Sequence, residues 1–114
     1  MAYLKNFSGQ ILLVIDEDKI KEFSGKIIYK IVDDRITDFY GKTLYKIDGN
    51  YIKDFYGRIL LNITYDQVKQ FNGQVIAKLD NSYIKNFSGM IQYKLDGFFS
   101  RKQLMTILAL LYAA

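Results

Sequence analysis

Gly41-Lys-Thr-Leu-Tyr-Lys-Ile-Asp48 runs straight into Gly49-Asn-Tyr-Ile-Lys-Asp-Phe-Tyr56, and a glycine follows again at Gly57. Each half is a short run of β-prone residues closed by a turn pair. Ile, Thr, Tyr and Phe suit a pleated, half-buried surface, and Gly, Asn and Asp best tolerate the positive φ of a two-residue type I′ hairpin. The stretch therefore predicts two short antiparallel strands per sixteen residues.

The same unit recurs along the chain. Gly9, Gly25, Gly41, Gly57, Gly73 and Gly89 are spaced by 16, and a phenylalanine stands two residues before each: Phe7, Phe23, Phe39, Phe55, Phe71 and Phe87. Leu4, Ile20, Ile36, Ile52, Val68 and Ile84 precede the glycines by five residues, and Ile15, Ile31, Ile47, Ile63, Leu79 and Leu95 follow them by six. Six units matching at four positions define a repeat architecture. The turn pairs are Ser8-Gly9, Tyr40-Gly41, Asn72-Gly73, Asp48-Gly49 and Asp96-Gly97, with Asp33-Asp34 and Asp80-Asn81 in the same style. Proline is absent, so every backbone N–H is free to join a ladder.

The reading is a mainly β chain: tandem 16-residue repeats forming an antiparallel meander of about twelve short strands, strongly coiled, barrel-like or two-layered. Residues 1–114 make one repeat-built domain, with repeats over 1–99 and a C-terminal helix over 100–113. Two-residue turns would set Ile52 opposite Leu61 on one side and Tyr45 on the other. One face would carry Ile59, Leu61, Ile63, Ile52 and Asp54. The opposite, mixed face would carry Leu44, Leu60 and the phenylalanines alternating with Lys46, Lys53 and Arg58. A flat sheet of twelve strands at about 4.8 Å spacing would be nearly 60 Å wide, beyond what open sheets sustain without curling or splitting. The alternative is a two-sided β-solenoid with one unit per coil. It would stack Lys5, Lys21, Lys53, Lys69 and Lys85 in one column broken only by Thr37, and adjacent like charges destabilise.

The repeat breaks near residue 99. Ser100 is a good N-cap, Gln103 completes a capping box, and Phe99 can staple onto Leu104. Leu104, Ile107, Leu108 and Leu111 then follow helical spacing, with Met105, Leu110 and Tyr112 also apolar, so a mostly buried helix should cover a strand edge or dock on a second molecule. The apolar stretch from Leu104 to Ala114 is about half the roughly 20 residues needed to cross a bilayer, so no transmembrane segment is expected.

Glycine-punctuated hairpins resemble, in style, MORN repeats and the choline-binding repeats of cell-wall proteins. MORN units are longer and carry a Tyr/Trp pattern between several glycines, and choline-binding repeats build cation cages from tryptophan, which this chain lacks. Neither function carries over, and no family is assigned.

Composition narrows the chemistry. Among 114 residues there is no His and no Cys, which removes the commonest general base, the thiolate nucleophile and zinc–sulfur sites. Asp16, Asp48, Asp80 and Asp96 recur at turns, and Glu22, Asp38 and Asp54 recur before the phenylalanines, whereas an active site is a singular arrangement. Asp33-Asp34 and Asp16-Glu17-Asp18 lack the spaced oxygen ligands of a calcium loop, and no phosphate-binding loop is present. The chain is read as no enzyme, without cofactor or metal. The net charge of +4 is a weak pointer to anionic partners. The row Lys5, Lys21, Lys53, Lys69 and Lys85, with Lys30, Lys46, Lys78 and Lys94 from facing strands, is the candidate surface for a polyanion; nucleic acid is not favoured, because interspersed acids dilute the field. The eighteen Phe and Tyr residues could line a sugar groove, although regular strand spacing suits cross-strand packing. The expectation is thus a non-catalytic structural or protein-interaction module, self-associating as a homo-oligomer or meeting another protein, with carbohydrate or polyanion binding as the alternative. No secretory signal is evident, and a cytoplasmic location is the default.

Overall fold

The structure is a computed structural model that describes residues 1–113. Twelve strands follow one another around a closed antiparallel barrel: β1 (Ala2–Asn6), β2 (Ile11–Asp16), β3 (Lys19–Lys21), β4 (Ile27–Val32), β5 (Arg35–Asp38), β6 (Thr43–Asp48), β7 (Tyr51–Lys53), β8 (Ile59–Thr64), β9 (Gln67–Gln70), β10 (Val75–Asp80), β11 (Tyr83–Asn86) and β12 (Ile91–Asp96). Each pairs with its chain neighbours, and β1 closes the ring against β12 with Leu4 opposite Leu95. Every ladder is antiparallel, which rules out the solenoid alternative. Closure leaves no strand edge exposed, so a sheet without proline needs no other protection.

The two kinds of turn differ, and so correct the uniform type I′ expectation. At the Phe-x-Gly turns the loop is three residues long: the N–H of Gly9 donates to Asn6 O at 3.0 Å, and Gly9 takes φ +92°. This is a type I turn followed by a left-handed residue, the three-residue hairpin form in which Gly fits without strain. At the other turns two residues suffice, as in Glu17-Asp18, Asp33-Asp34 and Gly49-Asn50; only the first takes positive φ, as in a type II′ turn. Asp96-Gly97 makes no hairpin, because the chain leaves the sheet there for the helix.

Placing the turn at Gly49-Asn50 rather than Asp48-Gly49 moves the register by two. Ile52 lies opposite Leu61 as expected, but opposite Ile47 rather than Tyr45, which faces Ile36. A two-residue shift keeps the face, so the apolar row survives. A second difference does change a face. Each Phe-loop hairpin carries a bulge, at Leu60 between β7 and β8, so that Lys53 pairs with Ile59. Beyond the bulge the alternation inverts: Leu61 and Ile63 are buried while Ile59 is 41% exposed. Ile59 therefore leaves the core face, and Asp54 belongs to a loop rather than to that face.

Inside the ring, Leu4, Ile15, Ile20, Ile36, Ile52, Ile63, Val68 and Ile84 are almost fully buried. Twelve strands enclose more space than their side chains fill, since eight already give an interior just wide enough for side chains to fill. The remaining volume is taken by α1 (Arg101–Tyr112). Five consecutive residues, Met105, Thr106, Ile107, Leu108 and Ala109, are buried. They cover the whole circumference of a helix, so α1 is surrounded and lies in the lumen. It neither covers an edge nor presents a free face. Its length of about 18 Å matches the 20 Å short axis of a molecule measuring 36 × 34 × 20 Å. Ala114, the end of the apolar stretch, lies outside the described residues.

The helix is tied at its start. Ser100 Oγ accepts from the N–H of Gln103 at 3.2 Å and Gln103 Oε1 accepts from the N–H of Ser100 at 2.9 Å, the expected capping box. Gln103 Nε2 also donates to Glu17 O at 2.9 Å, Arg101 donates to Asn50 Oδ1 at 3.0 Å and to Ile63 O at 2.9 Å, and Lys102 Nζ stands 3.4 Å from Asp34 Oδ1. Two cations at a helix N-terminus oppose the macrodipole, and the acidic turns of that end offset them.

Two outcomes follow from a filled lumen. Leu108→Ala should cost about 2–5 kcal/mol in chemical denaturation, because the barrel wall cannot collapse into the cavity. The Tyr112 hydroxyl is buried without a partner among the described residues, and burial, aided by Tyr93, pushes its pKa up to about 12. Its neutral form thus supports folding fully below pH 10, and that support is lost as pH rises toward 12. Tyr112→Phe should leave neutral-pH stability equal or higher and flatten the alkaline unfolding curve.

Candidate functional site

In an up-and-down barrel alternate turns lie at opposite ends. All six Phe-x-Gly loops share one end; the five two-residue turns and the start of α1 share the other. The loops are built without help from their phenylalanines. The residue before Phe is Asn6, Asp38, Asp54 or Asn86 in four units, and its Oδ1 accepts the backbone N–H groups two and four residues on. Glu22 and Gln70 stand at the same place in the other two. Around Asp54 burial raises the carboxyl pKa, but the Arg58 N–H, the Arg58 guanidinium at 2.7 Å and the Tyr56 N–H outweigh it and hold the group below its ordinary value.

The phenylalanines themselves point away from the fold. All six are between 50% and 76% exposed, and beside them Tyr40 is 92% and Tyr56 81% exposed. This corrects the placement of the phenylalanines on a mixed sheet face: they occupy loop tips, a ring of aromatic knobs around one mouth of the barrel. Phe39 packs edge-to-face on Tyr40 and Phe55 on Tyr56, both at 5.4 Å between ring centres. Lys30 Nζ stands 5.8 Å from the centre of the Phe39 ring, and Lys46 Nζ 5.4 Å from that of Phe55.

The lysine row lies on the outer wall, between inward-facing aliphatics. The register puts Lys53 opposite Lys46, Lys85 opposite Lys78 and Lys5 opposite Lys94. The repulsion is relieved by a carboxylate for most of the row. Lys21 donates to Asp16 at 3.0 Å, Lys53 to Asp48 at 2.6 Å, Lys85 to Asp80 at 2.7 Å and Lys5 to Asp96 at 2.8 Å. The turn aspartates are therefore partners of the row, a role the turn-based reading missed. The signal was in the sequence: where Val32 replaces the aspartate, Thr37 replaces the lysine five residues later. Lys69 follows Thr64 instead and has no carboxylate within ion-pair distance among the described residues. The row is thus a belt of largely compensated charge, and the five lysines do not converge on one point.

No group of three or more acidic side chains is placed to hold a metal ion among the described residues, and no helix there is long and apolar enough to cross a membrane. No family model, curated protein or solved structure matches the chain.

The Lys21 hydrogen bond, then its charge, lowers the Asp16 pKa below 3.8. A depressed carboxyl supports folding above pH 3.8, and that support is lost as pH falls through its folded value. Carboxyl NMR titration should show Asp16 below 3.8 and returning toward it in Lys21→Gln. In the loops, Asn86→Ala should destabilise by about 1 kcal/mol, and Asn86→Asp, which keeps the acceptor, should not.

Proposed function

We propose that the chain is a non-catalytic interaction module that works through the Phe-loop end of its barrel. The exposure of one phenylalanine per repeat carries this reading. Burying a phenylalanine is worth about 1.5–3 kcal/mol, and this chain builds its buried core from aliphatic residues while leaving six phenylalanines at loop tips. In four loops the Asx side chain and the glycine fix the turn, and around Glu22 and Gln70 the backbone bonds of the glycine hairpin close it, so the turn is made without the aromatic ring. An apolar group displayed at every repeat, on a rim where the backbone is held by hydrogen bonds, is a surface for binding.

The polyanion alternative at Lys5, Lys21, Lys53, Lys69 and Lys85 draws less support, since four of the five are engaged by aspartates. The carbohydrate alternative draws no support from the outer wall, where Tyr51 and Tyr83 stand on separate hairpins, and Tyr29, Tyr45, Tyr93 and Tyr112 pack against the core. The expectation of self-association loses part of its premise as well. A second chain is not needed to cover a sheet face, because closure and α1 do so; the rim is the end that exposes an apolar ring in every repeat, while Tyr65 and Phe98 are single exposed rings at the far end.

The test is the variant Phe7→Ser/Phe23→Ser/Phe71→Ser/Phe87→Ser. It should unfold cooperatively no more than roughly 10 °C below the parent, each exposed change costing about 0.5 kcal/mol or less, while showing clearly weaker retention on a phenyl matrix. A large fall in melting temperature, with no phenyl retention in the parent, would make the rings structural and refute the reading.

A further inference from the structure

We propose that the partner of the Phe-loop end is an anionic lipid surface; this rests on the reading of that end as the binding surface. Its shape is the first reason. Neighbouring loops are two strands apart, roughly 10 Å, and the aromatic pairs form within loops, not between them. The rim is therefore a set of separate knobs, not a continuous apolar plane. A rigid partner would have to match every knob and every gap, whereas a fluid interface closes around each knob separately.

Charge is the second reason. Lys26 and Lys42 follow the glycines of two consecutive loops with no carboxylate within ion-pair distance among the described residues, Arg58 follows the next glycine but is paired with Asp54, and Lys30 and Lys46 stand just behind over the Phe39 and Phe55 rings. Two hollows occupy the same place in successive repeats. One of about 310 Å³ is lined by Lys26, Ile27, Asp38, Phe39 and Tyr40, and one of about 450 Å³ by Lys42, Thr43, Phe55 and Tyr56. Each sets an ammonium beside an edge-to-face aromatic pair. That arrangement holds an anionic headgroup while Phe enters the acyl boundary and Tyr keeps its hydroxyl at the headgroup level.

Polarity is the third. Of twelve acidic side chains only Glu22, Asp38 and Asp54 stand at this end, and loop N–H groups occupy both aspartates. The other nine lie at or beside the far turns, so an anionic surface meets the molecule rim first. A second copy fits the rim less well, because a two-fold contact sets the unpaired Lys26 and Lys42 of one copy toward those of the other.

The experiment is co-sedimentation of the full chain with phosphatidylcholine vesicles, with and without phosphatidylserine, alongside light scattering of the free protein. Binding should require the anionic lipid and weaken with salt. Lys42→Gln and Lys46→Gln should each lower it about fivefold. Tyr40→Ser/Tyr56→Ser, which removes only exposed rings, should lower it on the order of tenfold, with circular dichroism unchanged; Phe55→Ser/Tyr56→Ser should do at least as much. A folded parent that ignores anionic vesicles yet keeps Phe-dependent phenyl retention overturns the lipid assignment and leaves the rim reading standing. A dimer that the Tyr→Ser pair dissociates assigns the rim to a second copy and also overturns it. Loss of both vesicle binding and phenyl retention overturns both.

Discussion

Everything in this fold depends on filling the space that twelve strands enclose. A shorter array could pack its own side chains across the ring; this one cannot, and α1 supplies the missing volume. The match is dimensional, one three-turn helix spanning a barrel about as tall as the helix is long. Its capped start is fixed by Gln103, Lys102 and Arg101 to three successive turns, β2–β3, β4–β5 and β6–β7, which anchors it to one side of the ring. Packing and polar contacts thus act on the same element, and closure removes the edges that a proline-free sheet would otherwise expose.

A closed ring of hairpins has two unlike ends, and the repeat assigns each a different chemistry. At one end the two-residue turns bring aspartates beside the wall lysines and beside the cations that begin the helix. At the other, backbone bonds to the glycine close all six loops, with an Asx side chain added in four, and the phenylalanine is left exposed at the tip. Repetition then multiplies one exposed ring into six at a single mouth. The rim is not fully symmetric: aromatic pairs and cations gather on the loops at residues 39–42 and 55–58, with Lys26 beside them. That side is where the most specific contacts are expected.

Much of the fold was legible because it rests on local rules. The spacing of Gly9 through Gly89 gave the strand number and direction, and Ser100 with Gln103 marked the start of the helix. What escaped the sequence depends on relations between elements. The bulge at Leu60 follows from the three-residue loop, and it is the bulge that turns Ile59 outward. The helix reads as amphipathic by spacing, yet only a closed lumen surrounds Thr106 and Ala109. The phenylalanines pass for strand residues until the loop length is known, which is why the rim was not visible as a candidate site. The lysine row was visible, but its aspartate partners were assigned to turn chemistry alone, although Val32 with Thr37 records the pairing.

Native-state hydrogen exchange tests the filled lumen most directly. If α1 holds the barrel closed, the amides of Ile107, Leu108 and Ala109 exchange only through global unfolding, at the same free energy as the most protected amides of β4, β6 and β8. Helix amides that exchange orders of magnitude faster than those strands would place α1 outside the cooperative unit and contradict the account.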